Sequence, residues 1–187
     1  MAVSLAVVVL VAAVLAGRLL GGSISRLTHV PLRRKQLIVG AVLAQAGGAL
    51  VGVLGVTDER DAYTVGLAVS AGLALAFCVG NARVHGVALV SAGLAANALV
   101  VGVNGAMPVS IVAAYHARVP ITAIAAGTDS RHEIAGDGTS LRWLGDVIPV
   151  PLPLRPEVVS PGDVLVVAGL AELVVIGMGW RRREEQS

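Results

Sequence analysis

The sequence predicts an all-α integral membrane protein, because its composition and the length of its apolar runs both exceed what a soluble domain uses. Of its 187 residues, 56% are hydrophobic and 14% are charged, and the mean hydropathy is +0.82. Soluble domains have roughly 45–50% apolar and about 25% charged residues. Apolar runs close to the roughly 20 residues needed to cross a bilayer recur along the chain. The length fits one domain, so residues 1–187 are predicted to form a single integral membrane domain.

Five apolar segments are the predicted transmembrane helices. The first would span roughly 28 Å at about 1.5 Å per residue. No positively charged segment precedes it, so we expect a retained helix with its N-terminus outside rather than a cleaved signal peptide. The five predicted helices cover approximately residues 2–20, 37–56, 63–79, 84–103 and 164–180.

The connection between the last two helices, residues 104–163, is predicted to be an external loop with two parts. Residues Val109 to Ala126 are apolar but interrupted by His116, Arg118 and Pro120, which favours a re-entrant or interfacial helix over a sixth span. The stretch Leu141 to Val164 holds five of the eight prolines. Proline disfavours helix, so this stretch is predicted to lie extended across the outer face.

The positive charges decide the predicted orientation, since short cytoplasmic loops are enriched in Lys and Arg. Five spans with the N-terminus outside and the C-terminus inside satisfy this rule in every short loop. The expected location is the bacterial plasma membrane, in a multi-pass arrangement. The predicted inside set is Arg18, Arg26, Arg33, Arg34, Lys35, Arg83, Arg181, Arg182 and Arg183, and the outside set is Arg60, Arg118, Arg131, Arg142 and Arg155.

Several classes of function are disfavoured by what the sequence contains. Aromatic residues make up 3% of the chain, too few for base-stacking platforms, so no nucleic-acid partner is predicted. The lone Cys78 excludes an intrachain disulfide and a multi-cysteine metal site. Neither a nucleotide-binding loop nor a recognised hydrolase or metalloprotease motif is present, and we expect no cofactor and no metal. The expected partners are the lipid bilayer, a lipid or membrane-protein ligand, and, as an alternative, further copies of the same chain.

A cluster of polar residues is predicted at the outer face, from Asn104, His116, Arg118, Asp146 and Asp163. The functional hypothesis pairs Asp146 with Asp163 as carboxylates that share a proton and activate water. The alternative for Asp163 is an N-terminal cap of the last helix, accepting hydrogen bonds from its first amides. The alternative for Asp146 is a simple turn after Gly145.

Two further groups of polar residues carry weaker hypotheses. Glu172 is predicted near mid-membrane, where it either binds a proton or cation, or is neutral and hydrogen-bonded to Gln45 or Asn97. His132, with Glu133 and Asp137, matches no standard metal-binding spacing and is predicted to lie in a solvated loop.

The segments NGAMPV (104–109), LGDVIPVPLP (144–153) and SPGDVLVVAG (160–169) resemble an actinobacterial family of small integral membrane proteins of unknown function. The resemblance covers the second half of the chain and implies a bacterial plasma-membrane protein. It implies no catalytic residue.

The chain is also similar to lipoprotein signal peptidase, which has a polar outer-face motif after one helix and an aspartate just before a final helix. The resemblance places Asp163 at the second catalytic aspartate. That family has an aspartate three residues after its asparagine, whereas Met107 stands at that distance from Asn104. Asp146 would have to substitute for it.

Three functions follow as hypotheses. The leading one is a membrane protein that binds a lipid, a small hydrophobic ligand or a membrane partner at its outer face through Asn104, His116, Arg118 or Glu172. The first alternative is an intramembrane aspartyl hydrolase that uses Asp146 and Asp163. The second is a small proton- or cation-coupled transporter that uses Glu172.

Overall fold

The computed structural model describes residues 3–129, 131–153 and 155–179, and this part of the chain is mostly helical, with 62% helix in eight helices. Five of the helices are long and three are short. The long ones are α1 (Val3–Leu19), α3 (Gln36–Val53), α4 (Glu59–Gly80), α5 (Val87–Asn104) and α8 (Pro161–Gly177), and the short ones are α2 (Ile24–Leu27), α6 (Ile111–Ala117) and α7 (Thr122–Ala125).

The long helices lie where the apolar segments predict them, with ends that differ by a few residues. The largest shift is at the start of α4, which begins at Glu59 rather than 63, and α8 begins three residues early, at Pro161 rather than 164. Three helical stretches are long and apolar enough to cross a membrane, namely Gln36–Val53, Asp61–Gly80 and Val87–Asn104, and α1 is a shorter apolar helix. The predicted interfacial Trp180 and the arginines after it lie outside the described residues.

The surface of the long helices is apolar, as expected for helices in contact with lipid. Large aliphatic side chains on α3, including Val42, Leu43 and Val53, are more than half exposed. A soluble monomer rarely exposes a contiguous apolar surface of this kind. The three long apolar stretches and this exposed surface together identify a membrane protein.

The long helices pack as a row in the order α3, α4, α5, α8, α1. Helices α3 and α4 are antiparallel, since Gly48 lies against Gly66 while Gly40 lies near Leu73. Helices α1 and α8 run the same way: the backbone amide of Ser4 at the start of α1 bonds Glu157 just before α8, and Gly17 packs on Met178 just after it. One end of the row therefore carries the start of α1, α4 and α8.

Glycines bring α5 and α8 into backbone contact. A Cβ atom at Gly93 would collide with the carbonyl oxygen of Gly162, and one at Gly169 would collide with that of Gly86. Such an approach is available only where neither helix carries a side chain at the crossing. The two helices are antiparallel, and their separation depends on these four glycines.

The connection between α5 and α8 corrects two predictions. It carries four short strands, β1 (Met107–Val109), β2 (His132–Ile134), β3 (Ile148–Val150) and β4 (Glu157–Val159), so the described chain is not purely helical. Strand β1 pairs with β2 in parallel and β3 pairs with β4 antiparallel. The proline-rich stretch thus folds back as a paired ribbon, because its prolines leave enough free amides between them to form a ladder.

The segment Val109 to Ala126, predicted as a re-entrant or interfacial helix, is divided into several short elements. The segment begins as β1 and continues as α6 and α7. Arg118, in the left-handed conformation with φ of 60°, ends α6. Seven residues of helix extend about 10 Å, which is far too short to cross a bilayer. We call the whole folded connection, residues 105–160, the cap.

A larger residue at the glycine crossing should push α5 away from α8. We expect Gly93→Ala to lower the free energy of unfolding by about 1–3 kcal/mol, the usual range for overpacking. Gly102→Ala, on the same helix, is the matched control, because a Cβ there meets no atom within 4 Å. Thermal unfolding in detergent, followed by size-exclusion chromatography, measures both. Equal stability of the two variants would contradict the proposed role of the crossing.

Candidate ligand-binding site

A cavity of about 170 Å³ lies under the cap, between α3, α4, α5 and α8. It begins at Tyr63, near the start of α4, and reaches Ala74, which is roughly 16 Å further along that helix at about 1.5 Å per residue. Its walls are mostly apolar, and its polar groups gather at the cap end. The lining residues are Gln45, Tyr63, Leu67, Ser70, Ala71, Ala74, Leu94, Asn97, Ala98, Val101, Met107, His132, Asp146, Asp163 and Val166.

The backbone of the cap holds Asp146 at the mouth of the cavity. Asp146 pairs with Val109 as a parallel bridge beside β1. Its amide donates to the Pro108 carbonyl at 2.8 Å, and its own carbonyl accepts from the Ser110 amide at 2.9 Å. Gly145 precedes it because a Cβ there would collide with the Pro108 carbonyl oxygen. The Gly-Asp pair is therefore a requirement of close backbone packing as well as a turn.

The Asp146 side chain is buried and poorly paired. The residue is 6% exposed, and among the described residues the charged group that faces it is His132, whose Nε2 lies 3.9 Å from Oδ2. Burial, and then the negative charge of Asp163, raise the pKa of Asp146 from 3.8 to about 7. Near neutral pH this carboxyl group is thus divided between its charged and neutral forms.

His132 joins Asp146 to the surface. Its Nδ1 lies 2.9 Å from the Asp129 carboxylate, while Nε2 faces Asp146. Although partial burial by itself raises the pKa of Asp129, hydrogen bonds from the Arg131 backbone and from His132 lower it below its ordinary value. The half-buried imidazole of His132 thus lies between two carboxylates.

Asp163 is held in a hydrogen-bond network at the start of α8. Its backbone amide donates to Ser160 Oγ at 2.9 Å, and its carboxylate accepts from the Ser160 amide, which completes a capping box. Across the helix interface, Asn97 Nδ2 donates to Asp163 Oδ1 at 2.9 Å, and Ser160 Oγ donates to Asn97 Oδ1 at 2.9 Å. The predicted capping role of Asp163 is confirmed.

The remaining polar groups of the cavity lie on α3 and α4. Arg131 stacks over the Tyr63 ring, with 5.5 Å from Cζ to the ring centre, so its charge is directed to the ring face rather than into the cavity lining. Deeper in the cavity, Ser70 Oγ donates to Gln45 Oε1 at 3.4 Å. Gln45 and Ser70 thus lie at the same depth between the helices.

The structure brings together only two of the predicted site residues, Asp146 and Asp163. Asn104 instead fastens the cap: its side chain donates to the Ser140 carbonyl at 3.0 Å and accepts from the Ser140 amide at 2.9 Å. His116 and Arg118 are exposed on α6 and at its end, away from the cavity lining.

Glu172 also lies away from the cavity lining. Asn97 bonds Asp163, and Gln45 bonds Ser70. Among the residues that the structure describes, neither of these amides donates to Glu172. The hypothesis that Glu172 binds a proton or cation stays a prediction.

Three residues of the site escaped the sequence analysis. For Tyr63 and Asn97, the only feature in the sequence that could have indicated a site is a polar side chain within an apolar segment. His132 was predicted to be solvated, which is wrong, since it is half-buried and lines the cavity. His132 reaches the cavity because β2 pairs in parallel with β1. The two strands are far apart in the sequence, so the sequence alone does not reveal this position. Among the described residues, no three His, Cys, Asp or Glu side chains form a group suited to a metal ion.

Glu157 is a second buried acid with a structural role. Its carboxylate accepts hydrogen bonds from the backbone amides of Ser4, at 3.1 Å, and Leu5, at 3.2 Å. These amides belong to the first turn of α1, where a negative charge also interacts favourably with the helix dipole. Glu157 therefore fastens α1 to the cap.

Apolar helices with a capped polar cavity define a helical membrane protein with a ligand-sized site between its helices. A model of a family of unknown function, DUF5317, matches residues 29–175. The chain therefore belongs to this family, and the match includes α3, α4, α5, the cap and most of α8. Comparison with curated proteins finds no match, and comparison with solved structures finds none either.

The pKa of Asp146 predicts how stability depends on pH. The folded protein holds a proton on Asp146 up to about pH 7, whereas the unfolded chain releases it near pH 4. Raising the pH through this window therefore destabilises the fold, by at most about 4 kcal/mol for a shift of roughly three units. We expect Asp146→Asn to remove most of this decline.

Thermal unfolding between pH 4.5 and 8 in detergent measures this effect. Asp137→Asn removes the same charge from an exposed position of the cap and should keep the wild-type slope. If the stability of Asp146→Asn declines with pH as steeply as that of wild type, the carboxyl group of Asp146 is not the source of the decline.

Proposed function

We propose that this protein resides in the bacterial plasma membrane, as its resemblance to an actinobacterial family implies, and binds a small amphiphilic ligand in the cavity under the cap. The proposed orientation has five spans, with the cap and the start of α1 outside. The distribution of Lys and Arg supports this orientation. The antiparallel order of α3, α4, α5 and α8 agrees with it, since each helix then crosses in the direction opposite to that of the preceding one.

One observation carries the proposal: Asp146, a residue that is 6% exposed, lines a cavity whose walls are mostly apolar. Burying an ionisable group without a partner is unfavourable by several kcal/mol. Folding by itself does not require this arrangement, because Gly145 and the backbone of residue 146 already complete the bridge to β1. The side chain of Asp146 is therefore better explained by something that it binds.

The shape of the cavity supports an amphiphile. Tyr63, His132, Asp146 and Asp163 lie at the cap end, and aliphatic side chains such as Leu67 and Leu94 line much of the rest. Gln45 and Ser70 form a second polar pair deeper in the cavity. Ligand sites commonly combine apolar walls with a few polar groups that orient the ligand. A ligand would place its head at the cap and its apolar body among α4, α5 and α8.

Filling the cavity should abolish this binding. Ala71→Leu adds three carbon atoms to the cavity wall, whereas Ala68→Leu makes the same change at an exposed position of α4. We expect at least one of short alkyl amines, alcohols and carboxylates to raise the unfolding temperature of wild type and of Ala68→Leu but not of Ala71→Leu. At 100 times the dissociation constant the gain is about 2.7 kcal/mol. Equal responses in all three proteins, or none in any, would contradict the proposal.

An aspartyl hydrolase is the second candidate, because Asp146 and Asp163 line one cavity in unlike environments. Asp163 is bonded as an acceptor, while burial holds the pKa of Asp146 near 7. Enzymes that use two carboxyl groups as acid and base need such a difference. The similarity to lipoprotein signal peptidase supports peptide cleavage at the membrane surface as the reaction to test.

Asp163→Asn distinguishes this candidate from simple ligand binding. Asn caps helices nearly as well as Asp, so we expect the variant to fold. If the protein is a hydrolase, cleavage of a membrane-anchored peptide in vesicles, followed by mass spectrometry, should fall at least 100-fold. Cleavage that survives in both Asp163→Asn and Asp146→Asn would exclude the aspartyl mechanism, and Asp137→Asn controls for charge.

A further inference from the structure

We propose that the ligand of this cavity is a small free amine, whose ammonium group binds Asp146 and competes with a proton for that site. This inference rests on the proposed ligand-binding function and specifies the chemistry of the head group. It is independent of the hydrolase candidate, because it requires no reaction.

Asp146 lacks the hydrogen bonds that a buried carboxylate needs. Within the part of the chain that the structure describes, no group donates a hydrogen bond to its side chain, and His132 Nε2 at 3.9 Å is too distant to do so. Asp163, by contrast, accepts hydrogen bonds from Asn97 and Ser160. Among the described residues, Asp146 is thus the cavity carboxylate to which no group donates a hydrogen bond.

The charges around the cavity select a cation. Its lining contains two carboxylates and one histidine but no lysine or arginine. The guanidinium group of Arg131 stacks on the Tyr63 ring. An anionic head would meet two like charges in a poorly solvated place, where such repulsion is strong. An ammonium group would instead supply up to three hydrogen-bond donors and a compensating charge.

The volume limits the ligand to a short amine. A cavity of about 170 Å³ is smaller than the roughly 300–1,000 Å³ of sites for drug-sized molecules. A phospholipid does not fit, and the phosphate of an aminophospholipid would bring negative charge beside the carboxylates. A free amine with a few carbon atoms meets both limits.

Several charged groups around Asp146 determine how it responds to pH. Asp163, on α8, raises the proton affinity of Asp146, and the positively charged amino terminus of the chain lowers it. His132, on β2, faces it at 3.9 Å and is itself bonded to Asp129. Tyr63, on α4, shares the cavity. Protonation of Asp146 or of His132 makes the cavity less negative, so both events weaken the binding of a cation.

The pH dependence follows from competition. A simple alkyl amine has a pKa near that of lysine, about 10.4, and stays charged below pH 8. Asp146 ionises around pH 7, so its charged fraction falls about 30-fold between pH 8 and pH 5.5, and the apparent affinity falls with it. Binding of a neutral ligand should lack this dependence.

The test uses the full chain in detergent and three probes of one size: n-butylammonium, 1-butanol and butyrate. Dissociation constants come from ligand-observed NMR titrations at pH 8 and pH 5.5. For wild type at pH 8, we expect n-butylammonium to bind at least tenfold more tightly than 1-butanol. At pH 5.5 we expect n-butylammonium to bind about 30-fold more weakly than it does at pH 8. Asp137→Asn, which removes an exposed carboxylate of the cap, should behave as wild type.

Two variants locate the effect. Asp146→Asn should reduce n-butylammonium binding to the level of 1-butanol and abolish its dependence on pH. Ala71→Leu keeps Asp146 and should abolish binding of n-butylammonium and 1-butanol, so it tests the site if the first variant does not fold. His132→Asn should keep most of the pH dependence, because Asp146 remains in place.

The outcomes separate this inference from the proposed function. One outcome is that 1-butanol or butyrate binds wild type as tightly as n-butylammonium does, and that Ala71→Leu abolishes this binding. In that case the proposed specificity for amines is wrong, whereas the ligand-binding function stands. If sodium or potassium chloride at moderate concentration displaces n-butylammonium completely, the site is one for inorganic cations and the inference is overturned. If none of the three probes binds wild type at either pH, both the inference and the proposed function fail.

Discussion

The glycine crossing between α5 and α8 is the contact on which the rest of the site depends. Gly93 against Gly162 brings the two backbones into contact, and this separation is what allows Asn97 to reach Asp163. In a membrane, helices gain little from hydrophobic burial against one another, so close packing and interhelical hydrogen bonds hold them together. The network of Ser160, Asn97 and Asp163 therefore fastens the crossing and forms one wall of the cavity.

The cap converts a gap between helices into a site with a polar end. Its short strands satisfy backbone groups that would otherwise be buried without partners, and the bridge at Val109 brings Asp146 over the cavity. Asn104 holds the cap at Ser140, and Glu157 connects it to α1. The cap is thus attached at the ends of two separate helices, which gives the Asp146 side chain a defined place relative to Asp163.

The helices could be predicted from the sequence because each is a long apolar segment, for which composition alone is decisive. Their ends were harder: the start of α8 was placed after Asp163, although Ser160 and Pro161 form a capping sequence that begins the helix earlier. The strands have three residues each and pair over long separations, so no periodic pattern announces them.

The site shows the same division between local and distant information. The capping role of Asp163 could be predicted because the residues that determine it are neighbours in sequence. That Asp146 and Asp163 face one cavity was only a hypothesis, since it depends on how a 56-residue cap (105–160) folds. His132 could not be placed, because its position beside Asp146 follows from the pairing of Met107 with His132. Asn104, predicted as a ligand-binding residue, bonds the cap instead.

The two aspartates of the cavity illustrate how environment separates structural acids from functional ones. Asp163 and Glu157 each have backbone amides at the start of a helix as partners, so their negative charges contribute to the fold. Asp146 is buried, but among the described residues no group donates a hydrogen bond to its side chain. Its negative charge therefore opposes folding. A residue that destabilises the native state persists where it serves something other than stability. This contrast, rather than the presence of two carboxylates, is the physical reason why we propose the ligand-binding role for Asp146.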